Sequence, residues 1–125
     1  MIKSRLQSFR YAFQGIADLF RTQPNARIHL LLTVLALILG GTFSLSGTEW
    51  CLLALAMAMV FAAEAFNTAL EYLTDLVSPD YSELAGRAKD AAAAAVLFTA
   101  SGAAAVGLIL FLPRLWRLLW QGAII

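Results

Sequence analysis

The chain has 125 residues, of which 61% are hydrophobic and 14% charged, and its net charge is +1. That length excludes two domains, and the hydrophobic share, against about 45–50% in soluble domains, exceeds what so small a globule can bury, so lipid is the expected solvent. The near-zero charge excludes a broad basic surface for nucleic acid, while a lone Cys51 and a lone His29 exclude a disulfide framework and a thiolate or imidazole metal cage within one chain.

Taken in chain order, Ile2, Leu6, Phe9, Phe13, Ile16 and Phe20 recur at helical spacing and fall within an arc of roughly 80°. Lys3, Arg10, Gln14, Asp18 and Arg21 project elsewhere. This predicts an amphipathic helix over 1–21 lying in the membrane interface; a helix packed on a partner's core shows the same pattern. Thr22-Gln23-Pro24-Asn25 breaks it, because proline disfavours helical geometry in the residue before it. A first span is expected over 28–45, apolar except for His29, Thr33, Thr42 and Ser44. Ser46-Gly47-Thr48-Glu49 reads as a turn. A second span covers 50–77, ended by Ser78-Pro79-Asp80, and a third covers 89–112, where Pro113 stops or kinks it. Trp116 and Trp120 suit an aromatic belt at the far interface.

The expected fold is therefore an all-α membrane protein, one domain over 1–125, with an interfacial helix and three transmembrane helices. No apolar core with a small-x-small cleavage site occurs in the first 27 residues, so permanent membrane segments are expected rather than a cleaved leader. Seven of the nine basic residues (Lys3, Arg5, Arg10, Arg21, Arg27, Arg87 and Lys89) precede the first span or lie between the second and third. By the positive-inside rule the N-terminus and the 78–89 loop face the cytoplasm, where ATP is. Arg114 and Arg117 lie on the opposite side.

The second span carries an anomaly: Glu64, Asn67, Glu71 and Asp75 share one narrow face of an otherwise apolar helix. A charge deep in a bilayer costs about 2.5 to more than 10 kcal/mol, so such a stripe requires partners or a task. At about 1.5 Å per residue, Glu64 lies within the hydrocarbon, whereas Glu71 and Asp75 reach the cytoplasmic interface. An interfacial carboxylate can hold a hydrated Mg²⁺. One in the hydrocarbon can take a proton from a hydroxyl held at the same depth. Helix–helix polar contacts would explain one such residue better than four. Arg87 and Lys89 open the third helix, where amide groups add to their attraction for phosphate, or they simply anchor the topology. Asp90 can accept from a ribose hydroxyl or cap that helix. No Walker or Gly-rich kinase loop occurs, so a nucleotide site must be of another kind.

Glu64-Ala65-Phe66-Asn67-Thr68-Ala69-Leu70-Glu71, followed by Asp75 and by Gly86-Arg87-Ala88-Lys89-Asp90-x-x-x-Ala94-Ala95-Val96, resembles the small bacterial diacylglycerol kinase and undecaprenol kinase family. Phe13-x-Gly15-Ile16 and Asn25-x-Arg27-Ile28-His29 add to the resemblance, which covers roughly residues 5–112. It implies a homotrimer in the cytoplasmic (inner) membrane, with each site shared between protomers, that uses Mg²⁺ and ATP to phosphorylate a membrane lipid alcohol. By match, Glu64 corresponds to the general base and Glu71 to a metal ligand. Lys89 and Asp90 match nucleotide-contacting positions. Tyr11, Asp80, Tyr81 and Ser82 lie where the family lines its ATP site, and Asn67 and Asp75 belong to the same polar cluster.

One departure stands out. The family commonly has a second metal-binding glutamate two residues before Asn25, where this chain has Gln23, a neutral oxygen donor. The stripe does not decide between diacylglycerol, ranked first because it is the wider family's best-known substrate, and undecaprenol, toward which Asn25-x-Arg27-Ile28-His29 leans. His29 itself is expected to be a helix-start residue in the headgroup zone rather than a ligand. A proton- or ion-conducting oligomer is the rival from another class, since intramembrane carboxylates also serve proton relays. Against it, the acids cluster toward one leaflet. A non-catalytic assembly factor would leave the stripe unexplained.

Overall fold

In the computed structural model the backbone is described for residues 2–80 and 82–121, and side chains for 5–80 and 82–120. Among the described residues every regular element is helical: α1 (Ile2–Thr22), α2 (Pro24–Thr42), α3 (Gly47–Val77) and α4 (Glu83–Gln121). The last three are long and apolar enough to cross a membrane.

Each connection has a local cause. Only Gln23 separates α1 from α2, and Pro24 sits in the first turn of α2, where its missing N–H deprives no carbonyl of a partner. Arg27 closes the other side of the break, donating from Nε to Phe20 O at 2.7 Å and from Nη2 to Arg21 O. These are carbonyls that the end of α1 leaves without helical partners. Between α2 and α3, Ser44 adopts a left-handed φ of 47°, and Leu45 N donates back to Gly40 O at 3.2 Å. This is a Schellman-type stop with serine in the position glycine usually takes. The start of α3 follows at once. Ser46 Oγ accepts from Glu49 N at 3.3 Å, and Glu49 Oε2 accepts from Ser46 N at 2.9 Å. This reciprocal capping box opens the helix within a single turn of the previous one's end.

The α3–α4 pair is an antiparallel hairpin held in one register from end to end. Lys89 pairs with Asp75 at one end, and Arg114 pairs with Glu49 at 2.8 Å at the other. Near the Glu49 end, Leu53, Leu110 and Phe111 pack with Leu45 as a buried core. The two ion pairs are 26 residues apart on α3, or about 39 Å, close to the thickness of a bilayer with its headgroups. Helix α2 runs antiparallel to α3. Its close approach is set by Gly40, where an added Cβ would lie 2.7 Å from Trp50 Cη2. Helix α1 crosses α3, with Phe20 edge-on to Phe61 at 5.7 Å and the Tyr72 hydroxyl donating to Asp18 Oδ2 at 2.8 Å. Leu6, Phe9, Phe13 and Ile16 on α1 stay exposed, as do Leu31, Phe66, Phe98 and Ile109 on the long helices.

Several boundaries differ from the sequence expectation: α2 covers Pro24–Thr42 rather than 28–45, and α3 starts at Gly47 rather than 50, so that Gly47, Thr48 and Glu49, read as part of a turn, form its first turn behind the Ser46 cap. The last helix begins at Glu83 rather than residue 89, because Ser82 supplies its start. Ser82 O accepts from Gly86 N at 3.0 Å, and Ser82 Oγ accepts from Ala85 N at 3.5 Å. The same helix passes through Pro113 instead of ending at 112. A proline there removes one N–H and crowds the preceding turn. Within that turn Arg114 Nη1 donates to Leu110 O at 2.6 Å, and the Glu49 partnership of that guanidinium holds the turn against α3.

Candidate active site

The polar face predicted for the second span exists and lies on α3. Glu64, at its middle, is the largest fully buried side chain, 2% exposed. Asn67 and Thr68 are buried beside it. The Thr68 hydroxyl is turned to its own helix, donating to Glu64 O at 2.9 Å, and so does not serve the carboxylate. Asn67 Nδ2 donates to Glu71 Oε1 at 2.8 Å, which fixes the half-buried Glu71 one turn further along. Asp75, one turn beyond, reaches across to Lys89 on α4.

Helix α2 supplies the remaining neighbour. His29 Nε2 lies 3.3 Å from Glu64 Oε1, within ion-pair range but off the line of a hydrogen bond, so that this buried oxygen has no hydrogen-bond partner. The buried Asn67 Oδ1 lacks one too. Leaving a buried polar atom unpaired costs roughly 1–3 kcal/mol, so two of them on one face mark a place built for something other than stability. Between α2, α3 and α4 runs an apolar groove of about 530 Å³, with His29 among its lining residues along with Leu32, Ala36, Val60 and Ala103. The buried carboxylate thus reaches this apolar trough through His29, its neighbour at 3.3 Å.

The chain brings together three polar contacts: His29 with Glu64, Asn67 with Glu71, and Asp75 with Lys89. The other predicted site residues are apart from them. Tyr11 is exposed on α1. Gln23 is half-buried at the α1–α2 break and makes no capping bond. Asp80 follows α3, its carbonyl accepting from Ser78 Oγ at 3.1 Å. Ser82 is engaged in starting α4, and Asp90 is exposed on that helix. Tyr81 lies outside the described residues. Among the described residues no three His, Cys, Asp or Glu side chains gather as a metal centre.

Sequence reading did not set His29 beside Glu64; the ring is half-buried, with Nε2 3.3 Å from Glu64 Oε1. A signal was available. Counting outward from the short 43–46 connection puts His29 and Glu64 within about one helical turn of the same level. It also missed the Tyr72 hydroxyl, which joins Asp18 and Thr22 of α1 to α3 at 2.8 and 3.2 Å.

The prokaryotic diacylglycerol kinase family profile matches residues 10–111, which include the whole stripe. A diacylglycerol kinase of Synechocystis sp. is 44% identical over 115 residues, covering 91% of this chain and 66% of that protein. An undecaprenol kinase of Bacillus subtilis is 38% identical over 109 residues, covering 87% of this chain and 89% of that protein. A diacylglycerol kinase of Escherichia coli is 29% identical over 87 residues, 70% of this chain and 71% of its own length. The chain therefore spans just under two thirds of the Synechocystis relative and most of the Bacillus one.

Proposed function

This chain belongs to the prokaryotic diacylglycerol kinase family, and we propose that it transfers the γ-phosphate of ATP to the hydroxyl of a membrane lipid alcohol, diacylglycerol being the first candidate and phosphatidic acid the product. The observation that carries this reading is Glu64, a carboxylate buried in an apolar helix, with one oxygen unpaired, whose neighbour His29 lines an apolar groove. An acceptor of that kind suits the proton of an alcohol that arrives from the bilayer.

In this reading Glu64 takes the hydroxyl proton as the lipid oxygen attacks the γ-phosphorus in line. Glu71, oriented by Asn67, faces the phosphates, and Asn67 Oδ1 offers a second oxygen without a partner. These donors suit Mg²⁺, a hard cation that keeps several waters and takes phosphate oxygens, so one chain need contribute only one or two ligands. Gln23 would add a neutral oxygen. Bound Mg²⁺ supplies neutralisation of charge on the transferring phosphoryl group. Lys89, held at the mouth of the site by Asp75, adds a cation for the phosphates.

Tyr11, Asp80, Tyr81, Ser82 and Asp90 would then meet the nucleotide across a homotrimer interface, each site drawing on two chains. The exposed apolar faces of the long helices support burial against lipid or a second copy. The distribution of Lys and Arg supports a multi-pass protein of the cytoplasmic membrane with its N-terminus in the cytoplasm. An ion relay is disfavoured, because no Asp, Glu, His, Lys or Arg of α3 lies between Glu64 and Glu49 at the opposite end.

Undecaprenol is the second reading, favoured by the near full-length match to the Bacillus kinase. Purified protein with Mg²⁺-ATP, offered both lipids side by side in mixed micelles, tests both. Phosphorylation of diacylglycerol supports the first, phosphorylation of undecaprenol alone replaces it with the second, and phosphorylation of neither refutes the kinase.

A further inference from the structure

Glu64 has a difficulty that the proposed chemistry creates. It is 2% exposed, so a proton taken from a substrate hydroxyl has no direct way to water. Of the groups packed around it, few can help. Thr68 is committed to a backbone carbonyl, and Asn67 cannot exchange a proton as a base. On its own helix Glu71 is held by Asn67, and on α1 Asp18 is held by Tyr72. The stretch of α4 from Val96 to Ala104 carries no ionisable residue. His29 is different. Its Nε2 is 3.3 Å from Glu64 Oε1, its side chain is 19% exposed, and it lies six residues, about 9 Å, past Gln23 at the α1–α2 break.

We propose that His29 is a positioning and proton-exit residue for Glu64, an inference that rests on the reading of Glu64 as the base. For this relay Nε2, which faces the carboxylate at 3.3 Å, has to enter without a proton, leaving Nδ1 as the nitrogen that carries and later releases one. When the lipid O–H bond breaks, its proton forms an O–H bond on the Glu64 carboxylate. That proton then passes from Glu64 Oε1 to His29 Nε2, giving imidazolium and restoring the carboxylate. Imidazolium loses the Nδ1 proton to interfacial water, and the ring returns to the resting tautomer on exchange with water. One proton enters and one leaves, and no other reactant is needed.

The test uses the full-length protein in mixed micelles, with size-exclusion profile and helical content matched to wild type. His29→Gln keeps a polar side chain of similar reach but cannot carry the proton onward. It is expected to lower kcat about tenfold or more, with both KM values within about twofold, and to flatten the pH profile of kcat between about pH 5 and 8. His29→Ala is expected to regain turnover when imidazole is added to the assay, and not when the much weaker base pyrazole is added. A His29→Gln protein whose kcat and pH profile both match wild type overturns the inference, as does a folded His29→Ala that imidazole does not rescue. So does failure of both variants to fold, which makes the contact structural. Glu64→Gln separates the two levels: if it turns over normally, the base assignment itself is wrong, whereas an inactive Glu64→Gln beside fully active His29 variants removes only His29.

Discussion

Replacing Glu64 with Gln exchanges one oxygen for an amino group at nearly constant volume, in a position that is 2% exposed. The carboxylate has no hydrogen bond to lose at Oε1, and the new amide can donate toward His29 Nε2, 3.3 Å away. Folding stability should therefore shift by no more than about 1 kcal/mol. Catalysis should not survive, because an amide cannot accept the proton. A positioned base contributes about 10²–10⁴ in rate, or about 2.7–5.5 kcal/mol of barrier at 1.36 kcal/mol per decade. Glu64→Asp keeps the base but draws it back by one methylene, about 1.5 Å, and a misplacement of that size costs about 100-fold. The order expected is wild type, then Asp, then Gln. ATP-dependent lipid phosphorylation measured as initial rate, with helical content and assembly checked for each variant, gives the comparison. A well-folded Glu64→Gln protein within about threefold of wild-type turnover would refute the assignment, since no general-base role is that small.

Glu71→Ala should weaken the use of Mg²⁺-ATP and recover part of its rate at high Mg²⁺; an unchanged Mg²⁺ titration would make Glu71 purely structural. Gln23→Glu should bind Mg²⁺ or Mn²⁺ more tightly, with the gain vanishing at saturating metal, and superimposable titrations of the two proteins would remove Gln23 from the site. Gly40→Ala should lower the thermal midpoint in detergent. Its Cβ would come within 2.7 Å of Trp50 Cη2, and overpacking of about 1–3 kcal/mol outweighs the roughly 1 kcal/mol that alanine gains over glycine in a helix. Gly41→Ala, which meets nothing within 4 Å, should be neutral or stabilising in the same measurement.

The number of long helices and the face shared by Glu64, Asn67, Glu71 and Asp75 were legible in the amino-acid order. Helical periodicity is a local property: at about 100° per residue, spacings of three and four stack side chains on one side whatever lies opposite. The break before Pro24 and the end of α3 at Ser78-Pro79 were legible for a similar reason, since proline acts on its immediate neighbours. At Pro113 the same rule left a stop or a kink open, and the helix does not stop there. A proline's effect depends on the packing around the disturbed turn, and here the guanidinium of Arg114, bonded to Leu110 O, is held by Glu49 from 65 residues away.

Which face of one helix meets which face of another is not written within either. The register of α2 on α3 follows from the four-residue connection and from Gly40 admitting the Trp50 ring, and only that register sets His29 against Glu64. Lys89 on Asp75, Arg114 on Glu49 and Tyr72 on Asp18 depend in the same way on how neighbouring helices slide and turn against each other. The sequence alone determined that a row of acids would stand in an apolar helix, because spacing along one chain decides it. The tertiary structure decided which of those acids are paired, which oxygens remain free and which side chain stands next to the buried one, because those depend on distances between segments that periodicity does not constrain.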